Sequence, residues 1–197
     1  MNICIYGSSS DLIDKAFLDE SEALGEDIAL GGHTLIYGAG GEGVMGAAAR
    51  GAAKHHGNIV GIVPSFLDLG GNLFDHCTEL IKTDDMRERK QTLENRSDAF
   101  IIMPGGIGTF DEFFEILTLK QLGRHNKAIV VYNINGYYDE INLALEKAIA
   151  QKFMTESCHE IYRFFDDRRD MLSYIENYHA KAVEITRMKH VSAHNTH

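Results

Sequence analysis

The residues Pro104 to Glu112, PGGIGTFDE, combine three glycines, a hydroxyl and two carboxylates between an apolar run and a helical pattern. Glycine lets a ligand come close to backbone N–H groups, and the first turn of a helix offers unpaired N–H groups with a partial positive charge. Gly105, Gly106, Gly108 and Thr109 are therefore candidates for binding a phosphate. The loop lacks the lysine of an ATPase P-loop.

Glu112 has two interpretations from the residues alone. In a capping box, Thr109 would cap the helix and Glu112 would reach back to it. Alternatively, Glu112 is a carboxylate that faces the ribose hydroxyls or a developing cation of the bound ligand. Glu115 lies three residues further along the same polar face. The predicted buried stripe of this helix is Phe110, Phe113, Phe114 and Leu117.

Two other glycine- or serine-rich loops follow predicted strands. Gly7-Ser8-Ser9-Ser10 follows the first, and GAGGEGVMG, which contains Gly40 and Gly41, follows the second. The latter reads G-x-G-x-x-G twice, but no acidic residue for a ribose appears before Asp68, which disfavours a nicotinamide cofactor. Its glycines either bind another phosphate or sugar, or permit tight helix–strand packing.

A basic segment, MRERK, opens a predicted helix after the fourth strand. Arg89 and Lys90 could reach the same cleft, and arginine can hold a phosphate or carboxylate through two hydrogen bonds. The alternative is a solvated helix surface of mixed charge, because Glu88 and Glu94 are close in sequence.

Short apolar runs alternate with helical patterns along the whole chain. This alternation predicts a doubly wound α/β fold with a mainly parallel sheet flanked by helices. Predicted strands cover 3–7, 33–38, 58–64, 79–83, 99–103, 127–133 and 160–165, and predicted helices cover 11–31, 44–56, 85–97, 109–122, 137–152 and a segment from about 167. In such sheets ligands bind beyond the carboxyl ends of the strands, so the glycine-rich loops should meet there.

One domain is predicted over residues 1–185, with a frayed tail over 186–197. His190, His194 and His197 in this tail are interpreted as solvated residues, and no metal site is expected. The formal charge of −10 argues against nucleic acid as a partner. Three cysteines without metal spacing indicate a reduced, cytoplasmic protein. A signal peptide is not expected, because the first residues, MNICIYGSSS, lack a basic segment followed by a long apolar run. A membrane span is not expected, because no apolar run reaches about 18 residues.

The combination of GAGGEGVMG, MRERK, PGGIGTFDE and the downstream QLG and NINGYYD resembles the LOG family of cytokinin riboside 5′-monophosphate phosphoribohydrolases over roughly residues 2–165. The resemblance implies a Rossmann-like nucleotide-binding fold and a homodimer. It also implies cleavage of the N-glycosidic bond of a cytokinin nucleoside monophosphate or AMP to free base and ribose 5-phosphate, with no cofactor.

The resemblance also assigns roles to residues. Arg89 and Glu112 match the catalytic pair of the family. The phosphate loop of the family is matched by Gly105, Gly106, Gly108 and Thr109. Positions that contact base or ligand are matched by Met86 and Lys90, and a second carboxylate of the pocket is matched by Glu115. The neighbouring loops are expected to contribute Ser8, Gly40 and Gly41.

The sequence departs from the family in two places. Arg87 stands where the family usually has histidine, and the segment 65–76, expected near the base, differs from the usual text. One alternative function is a non-catalytic nucleotide or cofactor carrier of the same fold, which would need the phosphate loop but not the Arg89–Glu112 pair. A pyridoxal phosphate-dependent lysine decarboxylase is disfavoured, since Lys82, Lys90 and Lys120 lack a recognisable cofactor context.

Overall fold

The computed structural model describes residues 1–68 and 70–189. It contains one sheet of seven strands covered by helices on both faces. The strands are β1 (Asn2–Tyr6), β2 (Thr34–Tyr37), β3 (Asn58–Pro64), β4 (Glu79–Thr83), β5 (Ala99–Ile102), β6 (Ala128–Tyr132) and β7 (Arg163–Phe165). The helices are α1 (Lys15–Leu30), α2 (Gly43–Lys54), α3 (Met86–Arg96), α4 (Ile107–Gln121), α5 (Asp139–Ala150), α6 (Arg168–Glu176) and α7 (Ile185–Met188).

The strand order is β4-β3-β2-β1-β5-β6-β7, and every pair of neighbouring strands is parallel. The central strands are buried on both faces because helices cover them, which explains their continuous apolar composition; all four residues of β5 are buried. Two apolar clusters form the core, one on each face of the sheet. The predicted doubly wound α/β fold is confirmed.

The strand order reverses between β1 and β5. From β1 the chain builds outward through β2, β3 and β4, and it then returns to add β5, β6 and β7 on the other side. The loops that leave β1 and β5 in opposite directions open a crevice at this point, where open α/β sheets bind ligands. Pairing of Tyr6 with Ile102 brings the ends of these two strands into register.

Several predicted boundaries were wrong. Helix α1 begins at Lys15 rather than 11, since Asp14 caps it by accepting a hydrogen bond from the Ala16 backbone N–H. The last strand is only Arg163–Phe165, and a 3₁₀ helix at Glu156–Glu160 occupies the start of the predicted segment.

The C-terminal boundary also differs from the prediction of a tail over 186–197. Helix α7 spans the predicted boundary, and Met188 is buried. The Met188 carbonyl accepts hydrogen bonds from the Gln121 side chain and from the Thr155 hydroxyl, both 3.3 Å. The rest of the predicted tail, 190–197 with its three histidines, lies outside the described residues.

Candidate functional site

A cavity of about 620 Å³ lies at the carboxyl ends of β1, β2, β3 and β5. Its polar wall comes from the loops after these strands and from α3 and α4, and comprises Gly7, Ser8, Ser9, Gly38, Gly40, Gly41, Glu42, Asn72, Arg89, Gly106, Gly108, Thr109 and Glu112. The structure thus brings together most of the residues predicted from three separate glycine- and serine-rich loops and from the basic segment, whereas Gly105, Lys90 and Glu115 do not line this cavity.

The loop after β5 presents unpaired backbone N–H groups to this cavity. Helix α4 begins at Ile107 with Gly106 as its N-cap, and the first helical hydrogen bond runs from the Phe110 N–H to the Gly106 carbonyl at 3.0 Å. The N–H groups from Gly105 to Thr109 therefore find no acceptor in the part of the chain that the structure describes. Together with the positive end of the helix dipole, they form a site suited to an anion.

The glycines of this loop have two different uses. A Cβ at Gly106 or Gly108 would meet no atom within 4 Å, so packing does not require glycine at either position. A Cβ at Gly105 would lie 2.1 Å from the Thr109 hydroxyl oxygen. Gly105 therefore makes room for Thr109, and Gly106 and Gly108 leave the cavity open.

Of the two interpretations of Glu112, the capping box was wrong. Thr109 lies inside α4 rather than before it, and the N-cap makes no side-chain hydrogen bond. Glu112, one turn further on, is buried and turns toward α3 instead of back to the helix start. The predicted apolar stripe is only partly buried, because Phe114 is 40% exposed.

Arg89 and Glu112 form a buried ion pair at the cavity wall. Arg89 Nη1 lies 2.7 Å from Glu112 Oε1, and the two side chains are 9% and 10% exposed. Arg89 Nε also donates to the Ile62 carbonyl at the end of β3 at 3.3 Å. Burial raises the pKa of Glu112 above its ordinary value, while the charge and hydrogen bond of Arg89 oppose this shift.

Arg89 reaches this position because α3 starts abruptly after β4. Asp85 caps α3 by accepting hydrogen bonds from the N–H groups of Arg87 and Glu88, at 2.8 and 2.9 Å. The first turn then carries Met86 and, at its end, Arg89 into the cavity lining. Arg87, which replaces the usual histidine, is exposed and lies outside that lining.

Lys90 and Glu115, both predicted to contact substrate, do not line the cavity. Lys90 instead joins α3 to α4 through ion pairs with Glu115 and, at 3.1 Å, with Asp111. The hydrogen bond that Lys90 donates to Glu115 is the main cause of the raised pKa of Lys90. The geometry gives these two residues a bridging role beside the site.

Two N–H groups of the loop after β2 donate to other parts of the protein. The Gly43 N–H, at the start of α2, donates to the Asp11 carboxylate at 2.7 Å, and the Gly41 N–H donates to the Asn72 carbonyl at 3.1 Å. Gly43 has a φ of +65°, and a Cβ there would lie 2.5 Å from the Ser8 carbonyl oxygen. Packing thus explains Gly43, whereas Gly40 and Gly41 line the cavity as predicted.

Sequence reasoning missed most of the apolar wall of the cavity. This wall consists of Met45, Val63, Pro64, Leu67, Leu73 and Met86. Leu67 and Leu73 belong to the segment 65–76 expected near the base, and an antiparallel bridge between Gly40 and Leu73 holds this segment against the loop after β2. The cavity therefore combines N–H groups suited to an anion with an apolar wall, and the Arg89–Glu112 pair lies in the same lining.

None of the three lysines considered for pyridoxal phosphate lines the cavity. Lys82 pairs with Asp68 at 2.7 Å, and Lys90 is engaged as described. Lys120 is 2% exposed and donates to the Lys127 carbonyl just before β6, at the amino end of the sheet. Within residues 1–68 and 70–189 there is no cluster of three potential metal ligands and no helix long and apolar enough to cross a bilayer.

Comparison with known proteins agrees with the geometry. Residues 45–175 match the family model described as possible lysine decarboxylase. The chain is 31% identical over 179 residues to the probable cytokinin riboside 5′-monophosphate phosphoribohydrolase LOG6 of Arabidopsis thaliana, covering 90% of this chain and 88% of that relative.

Solved structures share the fold at lower identity. The molybdenum cofactor binding protein from the phototrophic bacterium Rippkaea orientalis superposes with a TM-score of 0.69 at 23% identity, covering 89% of this chain and 94% of that one. The molybdenum cofactor carrier protein of Chlamydomonas reinhardtii gives 0.66 at 18% identity, covering 89% and 95%. The family match and the sequence relative show that the chain belongs to the LOG family, whose family model carries the lysine decarboxylase description.

Proposed function

We propose that this protein hydrolyses the N-glycosidic bond of a nucleoside 5′-monophosphate, releasing the free base and ribose 5-phosphate. The observation that carries this proposal is the buried Arg89–Glu112 pair in the wall of a cavity that also holds an unpaired N–H array. A phosphate site alone would suit any nucleotide-binding protein. A carboxylate held beside it supplies what glycosidic cleavage requires.

The substrate phosphate would dock on the loop after β5. The N–H groups of Gly106, Ile107 and Gly108 and the Thr109 hydroxyl would donate to its oxygens, and the dipole of α4 would favour its charge. The base would contact the apolar wall of the cavity, between Met45 and Leu73. The ribose would then lie between the phosphate and the base, beside Glu112.

Cleavage of such a bond passes through a transition state with oxocarbenium character at the anomeric carbon. The bond from the anomeric carbon to the base nitrogen breaks, a water oxygen bonds to that carbon, and the proton of the water is transferred to the departing base. The Glu112 carboxylate would stabilise the developing positive charge and align the water. Arg89 would hold Glu112 in position through their hydrogen bond.

The direct test is to incubate the protein with AMP and with isopentenyladenosine 5′-monophosphate and to measure free base by chromatography. The relative named above suggests the second substrate, whose apolar substituent also suits the apolar wall. We expect Glu112→Gln to lower the rate by about 100-fold or more. Glu146→Gln, on α5 and paired with His159, is the matched control and should retain the wild-type rate.

Two outcomes would contradict the proposal. If the folded protein released no base from either nucleotide, the hydrolase activity would be excluded for them. Recovery of tightly bound AMP intact after hours would instead support the carrier alternative, whose fold the molybdenum cofactor proteins share. A full rate in Glu112→Gln would remove the role given to Glu112.

The proposed partner is a second copy of the chain. Phe114 and Phe153 are 40% and 82% exposed, and both line an apolar groove of about 600 Å³ between α4 and the end of α5. Burial of such side chains is a common source of dimer stability. Light scattering should give twice the mass of the chain, and Phe153→Asp should shift it toward the monomer; a monomeric wild type would exclude this prediction.

A further inference from the structure

The side chain of Tyr137 contacts the loop after β5 from a distant part of the sequence. Tyr137 follows the 3₁₀ turn Ile134–Gly136 after β6 and is 41% exposed. Its hydroxyl donates to the Gly105 carbonyl oxygen at 2.7 Å. The mechanism above gives this hydrogen bond no task.

Three consecutive carbonyl groups of the loop are held by donors from outside it. The Met103 carbonyl accepts from the Tyr138 hydroxyl at 2.7 Å, and the Pro104 carbonyl accepts from the Ser8 N–H at 3.0 Å. The Gly105 carbonyl precedes the first one that α4 can use, because the Phe110 N–H bonds to the Gly106 carbonyl. Among the described residues, Tyr137 is the donor that satisfies the Gly105 carbonyl.

A fixed carbonyl also fixes the N–H group of the same peptide. The peptide bonds of this loop are trans, so the C=O and N–H of each peptide plane point in opposite directions. Holding the Gly105 carbonyl on the Tyr137 hydroxyl therefore directs the Gly106 N–H away from Tyr137. Gly106 has no Cβ and lines the cavity, so rotation of this peptide plane meets no steric barrier from its own side chain.

The ring of Tyr137 is itself well placed for this task. It packs edge-on against Tyr138 and Phe17, with ring centroids 5.0 and 6.0 Å apart. The backbone directly after it is fixed by a hydrogen bond from the Tyr138 N–H to the Asn133 side-chain oxygen at 2.7 Å. The hydroxyl is thus presented by a rigid support rather than by a mobile side chain.

We propose that Tyr137 is a positioning residue, which orients the Gly105–Gly106 peptide so that the loop after β5 holds its N–H groups ready for a phosphate. This inference rests on the phosphate-binding part of the proposed function, and it does not depend on bond cleavage. Tyr137 would not touch the reacting atoms. Its loss would weaken binding of the phosphate while leaving the fold intact.

The test is a titration of the full-length protein with inorganic phosphate, observed through the backbone amide NMR signals of Gly106 and Gly108. In the wild type we expect both signals to shift and to saturate. In Tyr137→Phe we expect the dissociation constant to rise about 5-fold, the effect of one lost hydrogen bond. Tyr174→Phe, on α6 beside Arg163 at the amino end of the sheet, is the matched control and should bind phosphate as the wild type does.

Thermal unfolding of the same variants separates positioning from a structural role. Because Tyr137 is partly exposed, Tyr137→Phe should unfold within a few degrees of the wild type. The KM for AMP should rise by the same factor as the dissociation constant for phosphate, with kcat changed less. A merely structural tyrosine would lower the unfolding temperature without this selective loss.

The outcomes distinguish this inference from the proposed function. Unchanged phosphate binding in Tyr137→Phe would overturn the inference and leave the hydrolase proposal standing. A wild type that binds phosphate through these amides but releases no base would overturn the hydrolase proposal and leave the inference about Tyr137 standing. Absence of phosphate-induced shifts at Gly106 and Gly108 in the wild type would overturn the inference even if AMP were cleaved.

Discussion

The loop after β2 and the loop after β5 are both rich in glycine, and both lead into a helix at the same edge of the sheet. They differ in what their N–H groups contact. In the first, the N–H of Gly43 donates to the Asp11 carboxylate, so the anion position at the start of α2 is filled by the chain itself. In the second, the N–H groups from Gly105 to Thr109 have no acceptor among the described residues.

Gly38 and Gly46 differ from Gly106 and Gly108 in the same way. A Cβ at Gly46, in the first turn of α2, would lie 2.1 Å from the Gly41 carbonyl oxygen, and one at Gly38 would lie 2.3 Å from Arg89 Nη2. These glycines make room for other parts of the protein. At Gly106 and Gly108 an added Cβ would meet no atom within 4 Å.

This difference shows why a glycine pattern alone does not define a phosphate site. Both loops satisfy the composition and the context of such a site. What distinguishes them is that the N–H groups of Gly41, Gly43 and Met45 are already bonded within the protein. The first loop serves to pack α2 against the loop after β1 and to admit Arg89, and the second remains available to a ligand.

The largest predicted effect concerns Arg89, which lies between the two loops. Arg89→Met would leave the Glu112 carboxylate buried without its partner, and we expect it to lower the free energy of unfolding by about 3–5 kcal/mol. The guanidinium of Arg89, which lies beside Gly38, would then be replaced by an uncharged side chain. Urea unfolding at pH 7 measures this loss.

A double variant is the control for that prediction. In Arg89→Met with Glu112→Met, both charges are replaced by apolar groups of similar volume, which commonly restores stability. We expect most of the lost stability to return while hydrolysis stays absent. Wild-type stability in Arg89→Met alone would contradict the burial of this ion pair.

The next prediction compares one substitution, glycine to alanine, in the first turn of α2 and in the first turn of α4. Gly46→Ala should lower the free energy of unfolding by about 1–3 kcal/mol, because its Cβ overlaps backbone that cannot easily move. Gly108→Ala should not destabilise the protein, since alanine is favoured over glycine in a helix by about 0.5–1 kcal/mol. Thermal unfolding of the two variants compares them directly.

Nucleotide binding should show the opposite pattern for Gly108→Ala. Its Cβ would point into the cavity where the phosphate is proposed to dock, and we expect AMP affinity to fall about tenfold, or about 1.4 kcal/mol. Calorimetry in a Glu112→Gln background measures binding without turnover. If Gly108→Ala bound AMP normally, the docking position proposed for the phosphate would be wrong.

Much of the fold could be predicted from local sequence. Apolar runs such as AFII at 99–102 have the length and composition of strands buried on both faces, so their order along the chain predicted a parallel sheet. The helix start at Ile107 could not be found in this way. Thr109 and Glu112 have the spacing of a cap, and local spacing does not reveal that Arg89, 23 residues away, holds Glu112.

The candidate site was predictable to the extent that it depends on strand ends. The carboxyl ends of parallel strands share one edge, so Ser8, Gly40 and Gly106 were expected to converge there, and all three line the cavity. Contacts between side chains and distant backbone were not accessible to the same reasoning. The bond from Tyr137 to the Gly105 carbonyl spans 32 residues, and the Asp11 contact that occupies the first loop also spans 32.

The smallest predicted effect tests the charge held beside the second loop. Burial raises the pKa of Glu112 above 4.5, and Arg89 opposes that shift. A carboxyl whose pKa is raised by folding contributes stability that is complete below its unfolded pKa and is lost as the pH rises through its folded pKa. Above pH 4.5, the wild type should therefore lose stability relative to Glu112→Gln, by about 1.4 kcal/mol for each pH unit between the unfolded and folded pKa values of Glu112.

Urea unfolding of both proteins from pH 4.5 to 8 gives this difference in stability directly. The opposite trend would show that the Arg89 ion pair outweighs burial, and the second loop would then lie beside a carboxylate that is ionised even in acid.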